Sequence, residues 1–260
     1  MISFTENTVT KMKFLVQKIG NEIVHDFSFE LIQAKKYWDW RCADEISIRY
    51  TNEVIPERIA YDKYIPIGSV EFVSEYLKRF YPESEQALTP LNVPEVLFPF
   101  AGRNIVNVNS GKDLAVFKNT YFVYKKSNSK IKDSMNGMLY FMDDVPLMLY
   151  CLKGFQVSDV ISIKSEWRVF VFHNEIMHVS NYSGDPLIMP DASVIRQMVD
   201  AYKDESPVAY TLDVGIDDKG NTIVIECHRF FSCGLYGFSD YMKVPYMFSQ
   251  TWFEMKNKLK

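Results

Sequence analysis

Residues 210–228 read Tyr210-Thr-Leu-Asp213-Val-Gly-Ile-Asp-Asp-Lys-Gly-Asn-Thr-Ile-Val-Ile-Glu226-Cys-His228. Two apolar, β-branched runs flank a polar turn containing glycine, the pattern of a β-hairpin. A loop of residues 218–221 sets Asp217 opposite Thr222, and counting back along both strands sets Asp213 opposite Glu226. Residues directly opposite share one face of the sheet, where like charges are unfavourable unless a cation lies between them. A divalent metal carrying nucleotide phosphates fits there, since Mg²⁺ takes one or two carboxylates plus phosphate oxygens. His228, two residues beyond Glu226, points to the same face. A five-residue loop would instead put the two acids on opposite faces. A plain surface hairpin with two solvated acids satisfies the same letters, so the choice falls to the rest of the chain.

The chain has 260 residues, enough for one large core or two small ones. Hydrophobic residues make up 47% and charged residues 24%, an ordinary balance for a soluble globular protein. No apolar run approaches the roughly 18 residues that span a bilayer. The start, Met1-Ile-Ser-Phe-Thr-Glu, lacks the basic and apolar regions of a signal peptide. A cytoplasmic location is expected. Cys42, Cys151, Cys227 and Cys233 form no Cys-x-x-Cys pair and match no zinc spacing, which points to reduced, structural thiols. A net charge of −4 offers no electrostatic case for nucleic acid or an anionic membrane, so neither is expected as a partner.

The expected fold class is α+β. Lys13–Val16 and Ile46–Tyr50 read as short strands. Phe72–Phe80 has apolar residues at helical spacing and stops before Pro82. Ahead of it, Tyr64-Ile-Pro-Ile-Gly-Ser-Val is strand-like and broken by a Gly-Ser turn. Pro90, Pro94 and Pro99 mark residues 82–110 as a connecting segment. Tyr121–Tyr124 and Met138–Met142 read as strands around a polar loop. Glu166–Phe172 and Ile176–Tyr182 form a second hairpin around His173-Asn174. Pro190–Lys203 reads as a helix with Asp191 as N-cap, and Phe248–Leu259 as a final helix. Hairpins with intervening helices dominate the second half, while the first half is mixed. The expected division is 1–110 and 111–260, the latter split at 157/158.

Lys125, Lys126, Lys130 and Lys132 sit in one loop with Ser, Asn and Gly. Such a flap either closes over phosphates, its lysines acting as mobile point charges, or is an exposed basic loop. It does not match the Gly-x-x-x-x-Gly-Lys-Ser/Thr phosphate loop. Strand alternation places Glu166, Arg168 and Phe170 on one face and Trp167, Val169 and Val171 on the other. A buried arginine there must be paired, either with a neighbouring acid or with a nucleotide phosphate. Cys227-His228-Arg229 and Cys233 invite a metal or thiol-nucleophile reading, but no second His or acid lies at useful local spacing. His25, His173 and His178 read as surface or core residues.

Taken in order, these residues resemble the ATP-grasp superfamily, and within it the clade named for an arginine and two lysines. The resemblance rests on Ile65-Pro-Ile-Gly-Ser-Val-Glu-Phe-Val, on Phe122-Val-Tyr-Lys125 with Lys130, Lys132 and Gly137, and on Glu166-Trp-Arg168-Val-Phe. It rests further on Leu212-Asp213-Val with Val224-Ile-Glu226, and on Phe230-Phe-Ser-Cys-Gly-Leu-Tyr-Gly. It covers roughly residues 61–238, and the order of the motifs carries it more than any single one.

The resemblance implies an ATP-grasp fold, two α+β subdomains gripping ATP, preceded by a small α/β domain. It implies a hinge at Val157-Ser-Asp159-Val160-Ile161 on adenine, Lys125 with Lys130 or Lys132 on phosphates, and Arg168 on the γ-phosphate. Glu166 would belong to the nucleotide site, and Asp213, Glu226 and His228 would hold Mg²⁺. The implied reaction joins a carboxylate to an amine through an acyl phosphate, with a small molecule or peptide as acceptor. Arg103 is a candidate for a substrate carboxylate or phosphate contact, its alternative being a surface arginine.

Two departures stand out. Many ATP-grasp enzymes have Asn where this chain has His228. An imidazole can replace an amide as ligand, or the change marks altered metal use or weaker catalysis. Lys126 stands where related sequences often have Pro, leaving Lys125 and Lys126 as rival assignments. Two other functions compete: a nucleotide-binding protein of the same fold without turnover, and a nucleotidyl transferase forming a lysine–AMP adduct. The second expects Lys-x-Asp-Gly, whereas Lys132-Asp133 is followed by Ser-Met.

Overall fold

Phe14, Leu15 and Val16 are fully buried, because their strand, β1 (Met12–Gln17), lies between two others. β2 (Ile46–Thr51) and β3 (Ile65–Ile67) both run parallel to it, in the order β2-β1-β3. A strand covered on both faces reads as an unbroken apolar run. Parallel neighbours require a crossover, and α1 (Asp26–Trp40) makes the one from β1 to β2. Periodicity does not reveal α1 because it lacks a clean apolar stripe: Ser28, Leu31 and Ala34 are buried while Phe29 and Trp40 are exposed. α2 (Val70–Phe80) starts at Ser69, whose hydroxyl accepts the Phe72 N–H at 3.2 Å, a normal N-cap.

The computed structural model describes residues 11–54, 63–83, 88–117, 121–126, 138–141 and 154–257. Contacts divide the chain into two compact units. The first comprises Met1–Ala87 with Ser239–Lys260 and the second Leu88–Phe238. The last helix of the chain therefore packs in the first unit, where its Trp252 meets Tyr76 and Tyr81 edge-on at 5.7 and 5.5 Å.

The second unit contains two four-stranded antiparallel sheets. One has the order β4-β7-β5-β6, built from β4 (Ile105–Val108), β5 (Tyr121–Lys126), β6 (Met138–Phe141) and β7 (Phe155–Asp159). The other has the order β11-β10-β8-β9, built from β8 (Ile163–Phe172), β9 (Glu175–Gly184), β10 (Ala209–Asp217) and β11 (Thr222–Arg229). The segment 82–110, read from its prolines as a connection, also supplies β4 and a 3-10 turn at Glu95–Phe100. Four residues are too few for a pattern, and β4 exists because β7 pairs with it.

α3 (Ala192–Tyr202) begins at Asp191, which accepts the Ser193 N–H at 2.7 Å, as its N-cap position requires. After it comes α4 (Val244–Asn257), in the first unit. Ile195, Met198, Val199 and Tyr202 of α3 join Trp167, Val169, Val171, Leu212, Val214, Val224 and Cys227 in one core. The sheet is thus apolar on that face. The alternate residues, Arg168, Asp213, Glu226 and His228 among them, stand on its other face. The architecture is α+β throughout. Among the described residues no helix is long and apolar enough to cross a membrane, and Cys42, Cys227 and Cys233 are free thiols.

Candidate functional site

The hairpin turn is shorter than the sequence count. Asp217 N–H donates to the Asn221 carbonyl and Gly220 N–H to the Asp217 carbonyl, each at 3.1 Å. This closes a three-residue loop, Asp218 to Gly220, with Gly220 at φ +85°. Glycine takes that left-handed conformation without the Cβ penalty of other residues. Ile216 then faces Thr222, where the count of a four-residue loop had put Asp217. Left alone, this register would set Asp213 opposite Ile225. A β-bulge corrects it: Val214 faces Val224, Asp213 faces Glu226, and Ile225 is the extra residue.

A row of side chains therefore crosses the sheet: Glu226 on β11, Asp213 on β10, Arg168 on β8. Arg168 donates Nε to Asp213 Oδ1 at 2.8 Å and Nη2 to Oδ2 at 2.7 Å. Its Nη1 donates to the Gly234 carbonyl at 3.1 Å. Both side chains are buried, and such a fork-to-fork pair is the geometry in which a desolvated arginine stays charged. Burial opposes that charge, and Asp213 outweighs burial, raising the guanidinium above its ordinary value. The buried arginine thus pairs with Asp213, while Glu166 accepts the Tyr182 hydroxyl at 2.7 Å.

His228 Nε2 lies 3.5 Å from Asp213 Oδ2 and 3.4 Å from Glu226 Oε1. Burial lowers its pKa, but the two carboxylates prevail and raise it to about 9. The ligand atoms of Asp213, Glu226 and His228 all lie within 4.8 Å of one another. Two carboxylates and an imidazole at that spacing are a donor set that a divalent cation fits, with the hard oxygens suiting Mg²⁺.

Two tyrosines complete the site: Tyr182, which no motif singles out, and Tyr236, which falls within the Phe230–Gly237 motif without a role assigned to it. Tyr182 and Tyr236 stack at 5.2 Å, and the Arg168 guanidinium lies over both rings, 5.5 and 4.6 Å from their centroids. Burial first, and then the charge of Asp213, keep the Tyr182 phenol protonated far above its usual range. Tyr182 is the extra residue of a bulge in β9, between Asn181 opposite Trp167 and Ser183 opposite Glu166. Simple alternation cannot anticipate that position.

Beside the cluster, a cleft of about 160 Å³ is lined by Val93, Ile105, Val157, Asp159, Val160 and Ile225, among others. The expected hinge residues Val157, Asp159 and Val160 are therefore together on one wall. Asp159 is tied down by Asn104, whose backbone N–H and Nδ2 both donate to Oδ2, at 3.1 and 2.7 Å. Ile225 lines the cleft and Glu226, the next residue, joins the acid cluster, so the two features are contiguous. Arg103 also lines the cleft, but its guanidinium is occupied by backbone carbonyls. Nη1 donates to Ala101 at 3.1 Å and Val224 at 2.7 Å, and Nη2 to Ile225 at 3.1 Å. Burial lowers its pKa, partly offset by Glu226 and Asp159.

Lys125 stands on β5 in register with Gln156 of β7, the residue before Val157. Lys130 and Lys132, together with Gly137, lie outside the described residues.

A cleft lined by both antiparallel sheets, contiguous with paired acids on a hairpin, is the arrangement expected of an ATP-grasp protein. A family model for the ATP-grasp domain matches residues 100–244. It describes the second family of the clade named for an arginine and two lysines. The match spans more than half of the chain, which belongs to that family. Among solved structures, the chain is similar to the ATP-grasp ligase PsnB complexed with a minimal precursor. There the TM-score is 0.54 at 11% identity, over 92% of this chain and 99% of that one. It is similar to the D-cycloserine synthetase DcsG, with TM-score 0.50 and 12% identity over 96% and 100% of the two chains. It is also similar to N5-carboxyaminoimidazole synthetase from Staphylococcus aureus, with TM-score 0.50 and 8% identity over 92% and 78%. At these identities the likeness is one of fold. No curated protein matches the sequence.

Proposed function

We propose that this protein is an ATP-dependent carboxylate–amine ligase that releases ADP. The observation that carries the reading is the continuity of the hinge cleft with the Asp213–Glu226–His228 cluster. Family membership and the ligase names of the structural neighbours support it.

In this reading Val157, Asp159 and Val160 border the adenine. Lys125, with Lys130 or Lys132, neutralises phosphate charge. Asp213 and Glu226, with His228, hold Mg²⁺, which when bound offsets the charge of the phosphates. Arg168 contributes fixed positive charge and orients Asp213, while Glu166 and Tyr182 set the neighbouring polarity. Phosphoryl transfer asks mainly for positioning and charge stabilisation, which these groups offer. A carboxylate oxygen of the acid substrate attacks the γ-phosphorus as its bond to the ADP oxygen breaks, giving an acyl phosphate. An amine nitrogen then attacks the acyl carbon, phosphate leaves with the bonding pair, and loss of the amine proton completes the amide.

The test is thermal unfolding with and without Mg²⁺–ATP, comparing wild type with Glu226→Ala. Ligand at 100 times its dissociation constant adds about 2.7 kcal/mol. The expected result is a shift in wild type that shrinks or vanishes in the variant. No shift in wild type at any ATP concentration overturns the reading.

One observation favours a second reading, a nucleotide-binding protein without turnover. The His228 imidazole already bridges the two carboxylates, so a metal must displace its proton to use all three ligands. Nucleotide protection without ADP release, across mixtures of acids and amines, would favour this alternative.

A further inference from the structure

Two tethers bracket the irregular part of β11. At the turn, the Asp217 carboxylate accepts the Lys219 N–H at 2.9 Å, and from Asn221 the backbone N–H at 2.8 Å and Nδ2 at 2.9 Å. This holds Thr222 opposite Ile216. At the other end Cys227 is buried in the core opposite Leu212, and its N–H donates to the Asn92 carbonyl at 2.6 Å. Between these fixed points four residues of β11, from Ile223 to Glu226, face three of β10, from Asp213 to Gly215. One residue is surplus, and nothing in the two tethers says which.

Arg103 makes that choice. Successive carbonyls of a regular strand point to opposite edges, so two consecutive ones turn toward one donor only where the strand is bulged. The Arg103 guanidinium takes the carbonyls of Val224 and Ile225, at 2.7 and 3.1 Å. Gly215 supplies the space. A Cβ there would stand 2.9 Å from Ile163 Cγ2 and 3.0 Å from Ile225 Cδ1, closer than such atoms normally approach. The bulge brings two consecutive residues to one side of the sheet, Ile225 in the cleft wall and Glu226 opposite Asp213.

We propose that Arg103 is a positioning residue. Its guanidinium pins the bulge at Ile225 and thereby couples the wall of the nucleotide cleft to the register of the metal-binding acids. This rests on the ligase reading of the same site and assigns Arg103 to the protein backbone rather than to the acceptor substrate.

The test compares Arg103→Met and Arg103→Lys in the full chain. Dissociation constants for ATP are measured with and without Mg²⁺, alongside a ligand-free crystal structure of each variant. In Arg103→Met the Mg²⁺-dependent gain in ATP affinity is expected to fall at least tenfold. Mg²⁺-free ATP affinity should fall by a clearly smaller factor, because Val93, Ile105 and Val157 still line the cleft. Arg103→Lys, which keeps a cationic donor, should recover part of the gain. Equal losses with and without Mg²⁺, or no loss at all, overturn the proposal. So does a ligand-free Arg103→Met structure with the surplus residue still at Ile225 and Glu226 still opposite Asp213. If wild type binds no ATP, the ligase reading falls, and that ligand-free structure alone decides the role of Arg103. If Arg103→Met does not fold, the Lys variant carries the same comparisons.

Discussion

Arg168 and Asp213 are direct neighbours across β8 and β10 and meet in a bidentate ion pair, at donor–acceptor distances of 2.8 and 2.7 Å. Removing one member strands a buried charge, which costs about 3–5 kcal/mol. Asp213→Ala should therefore lower stability by roughly that amount in urea unfolding. Arg168→Met combined with Asp213→Leu should recover much of it. An Asp213→Ala protein as stable as wild type would show that the pair contributes nothing, and the residue would then be free to serve a metal alone.

Glu226 makes the cleaner probe. Its side chain is partly exposed, and the acid that holds Arg168 is Asp213. Glu226→Ala should cost about 1–2 kcal/mol in stability near neutral pH, less than Asp213→Ala, because His228 loses one of its two carboxylate partners while Arg168 keeps its own. It should also abolish ATP turnover and the Mg²⁺-dependent part of ATP binding. Unchanged ADP release in a folded Glu226→Ala protein removes the metal assignment from this hairpin.

Lys125 and Lys126 lie in register with Gln156 and Phe155 of β7 and are rival assignments for the lysine that the proposed function puts on the phosphates. Lys125→Ala is expected to raise the dissociation constant for Mg²⁺–ATP at least tenfold by calorimetry, with Lys126→Ala near wild type. The reverse result would shift the assignment by one residue.

The Asp213–Glu226 pairing is legible in the sequence, although the path to it is not. Counting gives a four-residue loop and an even register. The chain uses a three-residue loop and then a bulge, and the two departures cancel at Asp213. The bulge is held by Arg103, 121 residues before Val224 in sequence, so no local pattern could reveal it. Tyr182 is hidden for the same reason, since it too is a bulge residue. α3 is visible because its period and its Asp191 cap are both local. β4, with four residues, is defined by its partner β7 and has no signature of its own. The ion pair of Arg168 with Asp213 needs strands far apart in sequence to come into register. Alternation along β8 places Arg168 on the correct face but cannot name its partner.

The pKa of His228, raised to about 9 in the folded protein, sets a pH dependence whose sign can be worked out. The unfolded imidazole titrates near 6.5, so the folded state binds the proton more tightly. The resulting stabilisation is fully present below about pH 6.5 and is lost as pH rises through about 9. Its size is of order 3 kcal/mol by linkage. In metal-free protein, an NMR titration should find one imidazole with a midpoint near 9, absent in His228→Asn. Wild type should lose stability relative to that variant as pH rises from about 6.5 to somewhat above 9. Mg²⁺ with nucleotide must displace the same proton to gain the nitrogen as a ligand, so its apparent affinity should rise with pH across this window in wild type and stay level in His228→Asn. A His228 midpoint at or below about 6.5, the ordinary value, would mean that the two carboxylates do not hold the imidazole, and the cluster would lose its third member.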